Sequence, residues 1–95
     1  MIIMSIQHRV RDYDEWKQAF DEFPPTKGGA LFYRLNRGID DPNSVEAVCG
    51  WRSVEDAEAF KSNPELAEGM KRAGAVGTPR FEIYQEVEAK EAAQV

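Results

Sequence analysis

The run from His8 to Phe20, His-Arg-Val-Arg-Asp-Tyr-Asp-Glu-Trp-Lys-Gln-Ala-Phe, narrows the possible folds more than any other part of the chain. It ends a strand and opens an aromatic amphipathic helix. Residues 2–10 alternate, with Ile2, Met4, Ile6, His8 and Val10 in one register and Ile3, Ser5, Gln7 and Arg9 in the other. Asp12 stands where a helix N-cap belongs, with Glu15 three positions on, the spacing of a capping box. Tyr13, Trp16, Ala19, Phe20 and Phe23 then recur at helical spacing, and Pro24-Pro25 stops the helix.

The chain then repeats this plan. Thr26-Lys-Gly-Gly29 reads as a loop, residues 30–39 as a second strand, and Asp40-Asp-Pro-Asn43 as a turn. A third strand over 45–52 sets Val45, Ala47, Cys49 and Trp51 against Glu46, Val48, Gly50 and Arg52. Ser53 with Asp56 repeats the capping spacing ahead of Val54, Ala57 and Phe60. Asn63-Pro64 breaks this second helical region and restarts it, since Asn caps well and Pro suits the first helical position. Leu66, Met70 and Ala73 carry its apolar face to Gly74, a helix stop. Gly74-Ala-Val-Gly77 reads as a connector, residues 80–87 as the last strand, and 88–95 as a fraying tail. The β-α-β-β-α-β order is that of a ferredoxin-like split βαβ domain, an α+β fold with one four-stranded antiparallel sheet. Helices cover one sheet face. The other still carries Phe32, Val48 and Tyr84, so a second cover is expected, most simply another copy packed sheet to sheet.

Composition limits function. Ninety-five residues, 42% hydrophobic, make one domain over 1–95. Seventeen acidic against twelve basic residues give a net charge of −5, a poor match to nucleic acid. No apolar run approaches the ~20 residues of a membrane span, and Met-Ile-Ile-Met lacks the basic start of a signal peptide. One cysteine allows no internal disulfide, and one His with one Cys is a poor zinc set. A soluble cytoplasmic protein is expected, without nucleic-acid or membrane partners.

Three segments, Asp12-Tyr-Asp-Glu-Trp-Lys17, Asp40-Asp-Pro-Asn43 and Asn63-Pro-Glu-Leu-Ala-Glu-Gly-Met-Lys-Arg-Ala-Gly74, resemble the dimeric α+β barrel superfamily. Within it the likeness is to small bacterial cyclase-like and antibiotic-biosynthesis-monooxygenase-like proteins, over roughly residues 4–88. The resemblance implies a homodimer and, in its catalytic members, cofactor-free oxygenation or cyclisation of planar aromatic or polyketide-like molecules. Other members degrade haem or have no known reaction, so fold does not decide activity. Haem degraders carry an iron-ligating His on a helix, whereas the single His here lies on the first strand. Quinol-oxidising members bring Asn, Trp, Tyr or Arg into the pocket. Asn36, Trp51, Tyr33 and Arg34 or Arg52 are of those types, but no motif matches them position by position. No cofactor is expected.

His8 is the candidate catalytic group. A side chain with an ordinary pKa near 6.5 can move protons at neutral pH. The competing reading is a strand histidine satisfied in the helix layer or a dimer seam. Trp51, Tyr33, Trp16, Phe20 and Arg52 are the candidate substrate-binding residues: rings to stack, a hydroxyl to orient a carbonyl, a guanidinium to stabilise an oxyanion. For Trp16, Phe20 and Trp51 the plainer role is core packing, for Tyr33 dimer-interface or sheet-surface packing, and for Arg34, Arg37 and Arg52 a solvated or ion-paired surface. Cys49 reads as a small buried apolar residue. A non-catalytic dimeric binding or accessory protein is the alternative to an enzyme.

Overall fold

A computed structural model describes residues 1–92. Strand β1 (Ile2–Val10) leads into helix α1 (Tyr13–Glu22). A 3-10 turn (Pro25–Gly28) precedes β2 (Phe32–Arg37) and β3 (Ser44–Trp51). Helices α2 (Val54–Lys61) and α3 (Pro64–Arg72) follow, and β4 (Ala75–Gln85) closes the fold. The sheet is antiparallel throughout, in the order β2-β3-β1-β4. This is the expected α+β split βαβ architecture, with the second helical region broken at Asn63-Pro64.

The caps act as their sequence implied. The Asp12 carboxylate accepts the Glu15 N–H at 2.9 Å, Ser53 Oγ accepts that of Asp56 at 3.1 Å, and Asn63 Oδ1 accepts that of Glu65 at 3.0 Å. Each satisfies an N–H that the first helical turn leaves without a partner. The Glu15 carboxylate pairs with Arg11 at 3.3 Å.

Several boundaries differ from the sequence reading, and β3 runs over 44–51 rather than 45–52 while β4 ends at 85 rather than 87. The segment after Pro24 is a 3-10 turn, not an open loop, closed by Ala30 N–H donating to Pro25 O at 3.1 Å. That bond holds Ala30 off the sheet, so β2 starts at Phe32 rather than 30, and it ends at Arg37. β4 begins at Ala75, so Ala75 and Val76, expected in a connector, pair with Val10 and Arg9. The connector reading fails because a two-residue slip hides the start of the strand. Gln7 faces Arg80 but Arg9 faces Val76, so Gly77, Thr78 and Pro79 together stand opposite His8. Gly77 makes the bulge possible with φ +75°, a conformation that favours glycine. Residues 88–92 form no helix or strand, and 93–95, expected in the tail, lie outside the described residues.

The alternation in β1 and β3 places Met4, Ile6, Val10, Val45, Ala47, Cys49 and Trp51 under the helices, all buried. They form two clusters. Met4, Ile6, Cys49 and Trp51 pack with Ala57 and Phe60 of α2. Val10 and Val45 pack with Trp16 of α1 and Ala73. The opposite sheet face carries Ile3, Phe32, Val48 and Tyr84 around a polar centre. There Glu46 accepts hydrogen bonds from Ser5 at 2.8 Å and Asn36 at 3.0 Å.

Candidate functional site

Between the two clusters the helix layer does not close on the sheet, leaving a cavity of about 220 Å³. Its floor is Ile6 and His8 of β1 with Ala47 of β3. Trp16, Ala19, Phe20 and Phe23 of α1 make one wall. Phe60 and the α3 face of Glu65, Leu66, Gly69, Met70 and Arg72 make the other. α3 shows why the gap persists. Its apolar stripe has helical spacing, yet none of its residues is fully buried, because that stripe borders the cavity instead of the core.

His8 is the group of greatest chemical interest. Both ring nitrogens are shielded from solvent, and no described residue hydrogen-bonds either of them. Leaving a buried polar group unpaired costs about 1–3 kcal/mol. Burial pushes the imidazole below its ordinary pKa of 6.5, because charge is disfavoured away from water. The ring is therefore neutral at pH 7, with one nitrogen able to accept a proton. It lies against the Trp16 ring at 5.5 Å, and ring contacts continue from Trp16 to Phe20 at 5.0 Å, tilted, and from Phe20 to Tyr33 at 5.3 Å, edge-on.

The six residues singled out from sequence separate into two groups. His8, Trp16 and Phe20 border the cavity. Trp51, Tyr33 and Arg52 do not. Trp51 is buried to 1% exposure, donates its indole N–H to Cys49 Sγ at 3.3 Å and packs on Phe60 at 4.9 Å. Tyr33 backs Phe20 from a half-exposed position, and Arg52 is exposed. Burial raises the pKa of the Cys49 thiol, although the Trp51 hydrogen bond lowers it somewhat, so the thiol is a packed core group. Phe60, Leu66, Met70 and Arg72 were not singled out. Their only signal was the amphipathic spacing of α2 and α3, which looks the same for a core face and a cavity face.

A second, polar depression runs along Gln7, Asn36, Arg37 and Glu46. Its carboxylate is already engaged by Ser5 and Asn36. Among the described residues no three His, Cys, Asp or Glu side chains gather as a metal site, and no helix is long and apolar enough to cross a membrane.

No protein-family model matches this chain, and no curated protein does. Solved structures do. A Deinococcus radiodurans protein provisionally named an antibiotic biosynthesis monooxygenase superposes with a TM-score of 0.73 at 13% identity, over 99% of this chain and 100% of its own. A Bordetella bronchiseptica protein of the same provisional name gives 0.71 at 20% identity, over 92% and 98%. SnoaB, a cofactor-independent oxygenase from Streptomyces nogalater, gives 0.72 at 14% identity, over 93% and 94%. The chain has the ferredoxin-like α+β fold of antibiotic-biosynthesis-monooxygenase-like structures. At these identities the likeness is one of fold.

Proposed function

We propose that this protein is a cofactor-independent enzyme that oxygenates or cyclises a planar aromatic or polyketide-like small molecule in the cavity between sheet and helices. The observation that carries the reading is His8: a neutral imidazole with two unpartnered nitrogens, bordering an apolar, aromatic-walled cavity. A fold bears that cost more readily where the group has work to do. A modest rotation of the ring presents a nitrogen to the ligand. The imidazole then takes the proton of a phenol or enol, leaving an electron-rich carbon. With dioxygen as co-substrate, one oxygen atom becomes a quinone carbonyl at that carbon, and the other leaves as water with the two hydrogens the substrate loses. The substrate supplies both the electrons and the hydrogens. In cyclisation the same carbanion attacks a carbonyl of its own chain, and the imidazolium returns the proton. Trp16 and Phe20 hold the ring system flat. SnoaB, with the same fold, is a cofactor-independent oxygenase, which supports the reading.

The working unit in this proposal is a homodimer that covers the open sheet face, where Ile3, Phe32, Val48 and Tyr84 lie. Tyr84 alone is 54% exposed in the single chain. Glu46, already holding Ser5 and Asn36, enters such a seam with its hydrogen bonds made.

Dihydroxynaphthalenes and small polyketide mimics, with oxygen uptake and product analysis, test the enzyme. His8→Ala is expected to lower turnover by about 100-fold or more, the usual contribution of a general base. Undiminished turnover in that variant removes His8 from the mechanism. Ligand-induced thermal stabilisation without any product assigns the cavity to the accessory binding role instead.

A further inference from the structure

Cavity size and the placement of charge narrow the ligand further, given the small-molecule site just proposed. An apolar cavity of ~150 Å³ accommodates benzene, and drug-sized pockets span ~300–1,000 Å³. At about 220 Å³ this cavity suits one ring with substituents, or two fused rings.

Among the described residues only two charged ones border it, Glu65 and Arg72. They lie at opposite ends of α3, seven residues and therefore about 10 Å apart. Arg72 belongs to the His8 end, because the next residue, Ala73, packs with Val10 and Trp16, and Trp16 contacts His8. Glu65 is one residue from Leu66, which packs on the other cluster, so the acid stands at the far end. Arg72 has Glu68 one helical turn behind it, the usual partner for an i,i+4 bridge. Yet no described carboxylate, Glu68 included, lies within ion-pair distance of Arg72. That leaves an exposed guanidinium at the rim of this end of the cavity.

We infer that the cavity takes a small planar aromatic acid of one or two rings, its carboxylate held by Arg72 and its ring system between Trp16 and Met70. A planar guanidinium suits a carboxylate, which it can grip with two parallel hydrogen bonds. The acid group also fixes orientation, since the reverse pose would set carboxylate against Glu65. Arg72 thereby selects which ring edge His8 reaches. The overall negative charge repels acids in general, so an acid preference has to come from this local cation.

Binding of 1-naphthoate and of its neutral isostere 1-naphthamide to the full chain, by calorimetry, tests this without requiring turnover. Naphthoate is expected to bind about five- to ten-fold tighter, as for a partly exposed charge-assisted pair. Arg72→Gln should abolish that preference, and Arg72→Lys should restore part of it. Equal affinities in the native protein, or a preference that survives Arg72→Gln, overturn the assignment. If neither probe binds, the size argument fails with it. Acid-selective binding without turnover of any naphthol leaves this inference standing and removes only the enzymatic reading.

Discussion

The Trp16 indole meets the His8 imidazole nearly edge-on, with 5.5 Å between ring centres and 66° between ring planes. Both ring nitrogens are shielded from solvent, and the contact supplies no hydrogen bond in return. Its energetic consequence appears on acidification. The folded-state pKa of His8 lies below the unfolded value of 6.5, so the unfolded chain binds the proton first as pH falls. Stability is unaffected above pH 6.5 and declines below it, down to the folded-state pKa. His8 is the only histidine, so its imidazole proton resonance titrates without overlap. A midpoint below 6.5 is expected, with a melting temperature that falls from pH 7 to pH 5. His8→Leu should flatten that fall. A midpoint above 6.5 would mean that the imidazole has found a partner.

The two tryptophans look alike in sequence and differ in role. Trp51 is sealed in the core, hydrogen-bonded to Cys49 and stacked on Phe60. Trp51→Ala should cost about 3–5 kcal/mol, the usual range for emptying a large aromatic site, yet leave the His8 resonance in place. Trp16→Leu should move that resonance, because the ring shielding it has gone. Urea unfolding and the proton spectrum measure the two effects. A loss below about 1 kcal/mol for Trp51→Ala would contradict its placement in the core.

These differences mark how far the sequence could be read. Alternation along β1 and β3 identified the buried registers because burial on one face imposes a period of two, and Asp12, Ser53 and Asn63 marked helix starts because a cap is a local device. The bulge escaped notice. Gly77, Thr78 and Pro79 look like a turn, and only their pairing across to His8 shows that they interrupt a continuous strand. The lining that α3 gives the cavity escaped for a related reason. Whether Leu66 and Met70 meet a neighbour or a gap depends on how far α3 stands from the sheet, which no local pattern encodes. Trp51 was the favoured ring platform over Phe20, and only tertiary packing puts Trp51 in the core and Phe20 on the wall.

The bulge itself can be tested. Gly77 adopts φ +75°, and a Cβ added there would meet no atom within 4 Å, so any cost of Gly77→Ala is conformational. Forcing an L-residue into that region costs roughly 1–2 kcal/mol. The variant should lose about that much stability in urea. It should also disturb the His8 resonance, because relaxing Gly77 reshapes the segment opposite that residue. An unchanged midpoint and spectrum would show that β4 pairs regularly here in solution.

The open sheet face makes the last prediction. Val48 stands between Ser5 of β1 and Arg34 of β2, with Phe32 and Ile3 one step away on either side. A partner packed here removes apolar surface at about 25 cal/mol per Å², a driving force the isolated chain leaves unused. Light scattering at micromolar concentration should therefore report a dimer. Val48→Lys places a charge in the middle of the seam and, in a dimer, sets it against its own copy across the two-fold axis, so it should yield a monomer. The variant's helix layer and cavity lie on the other side of the sheet, so its circular dichroism and His8 titration should stay as they are. A native protein that is already monomeric would leave Ile3, Phe32, Val48 and Tyr84 without a cover and sink the homodimer. A Val48→Lys dimer would move the seam away from this face.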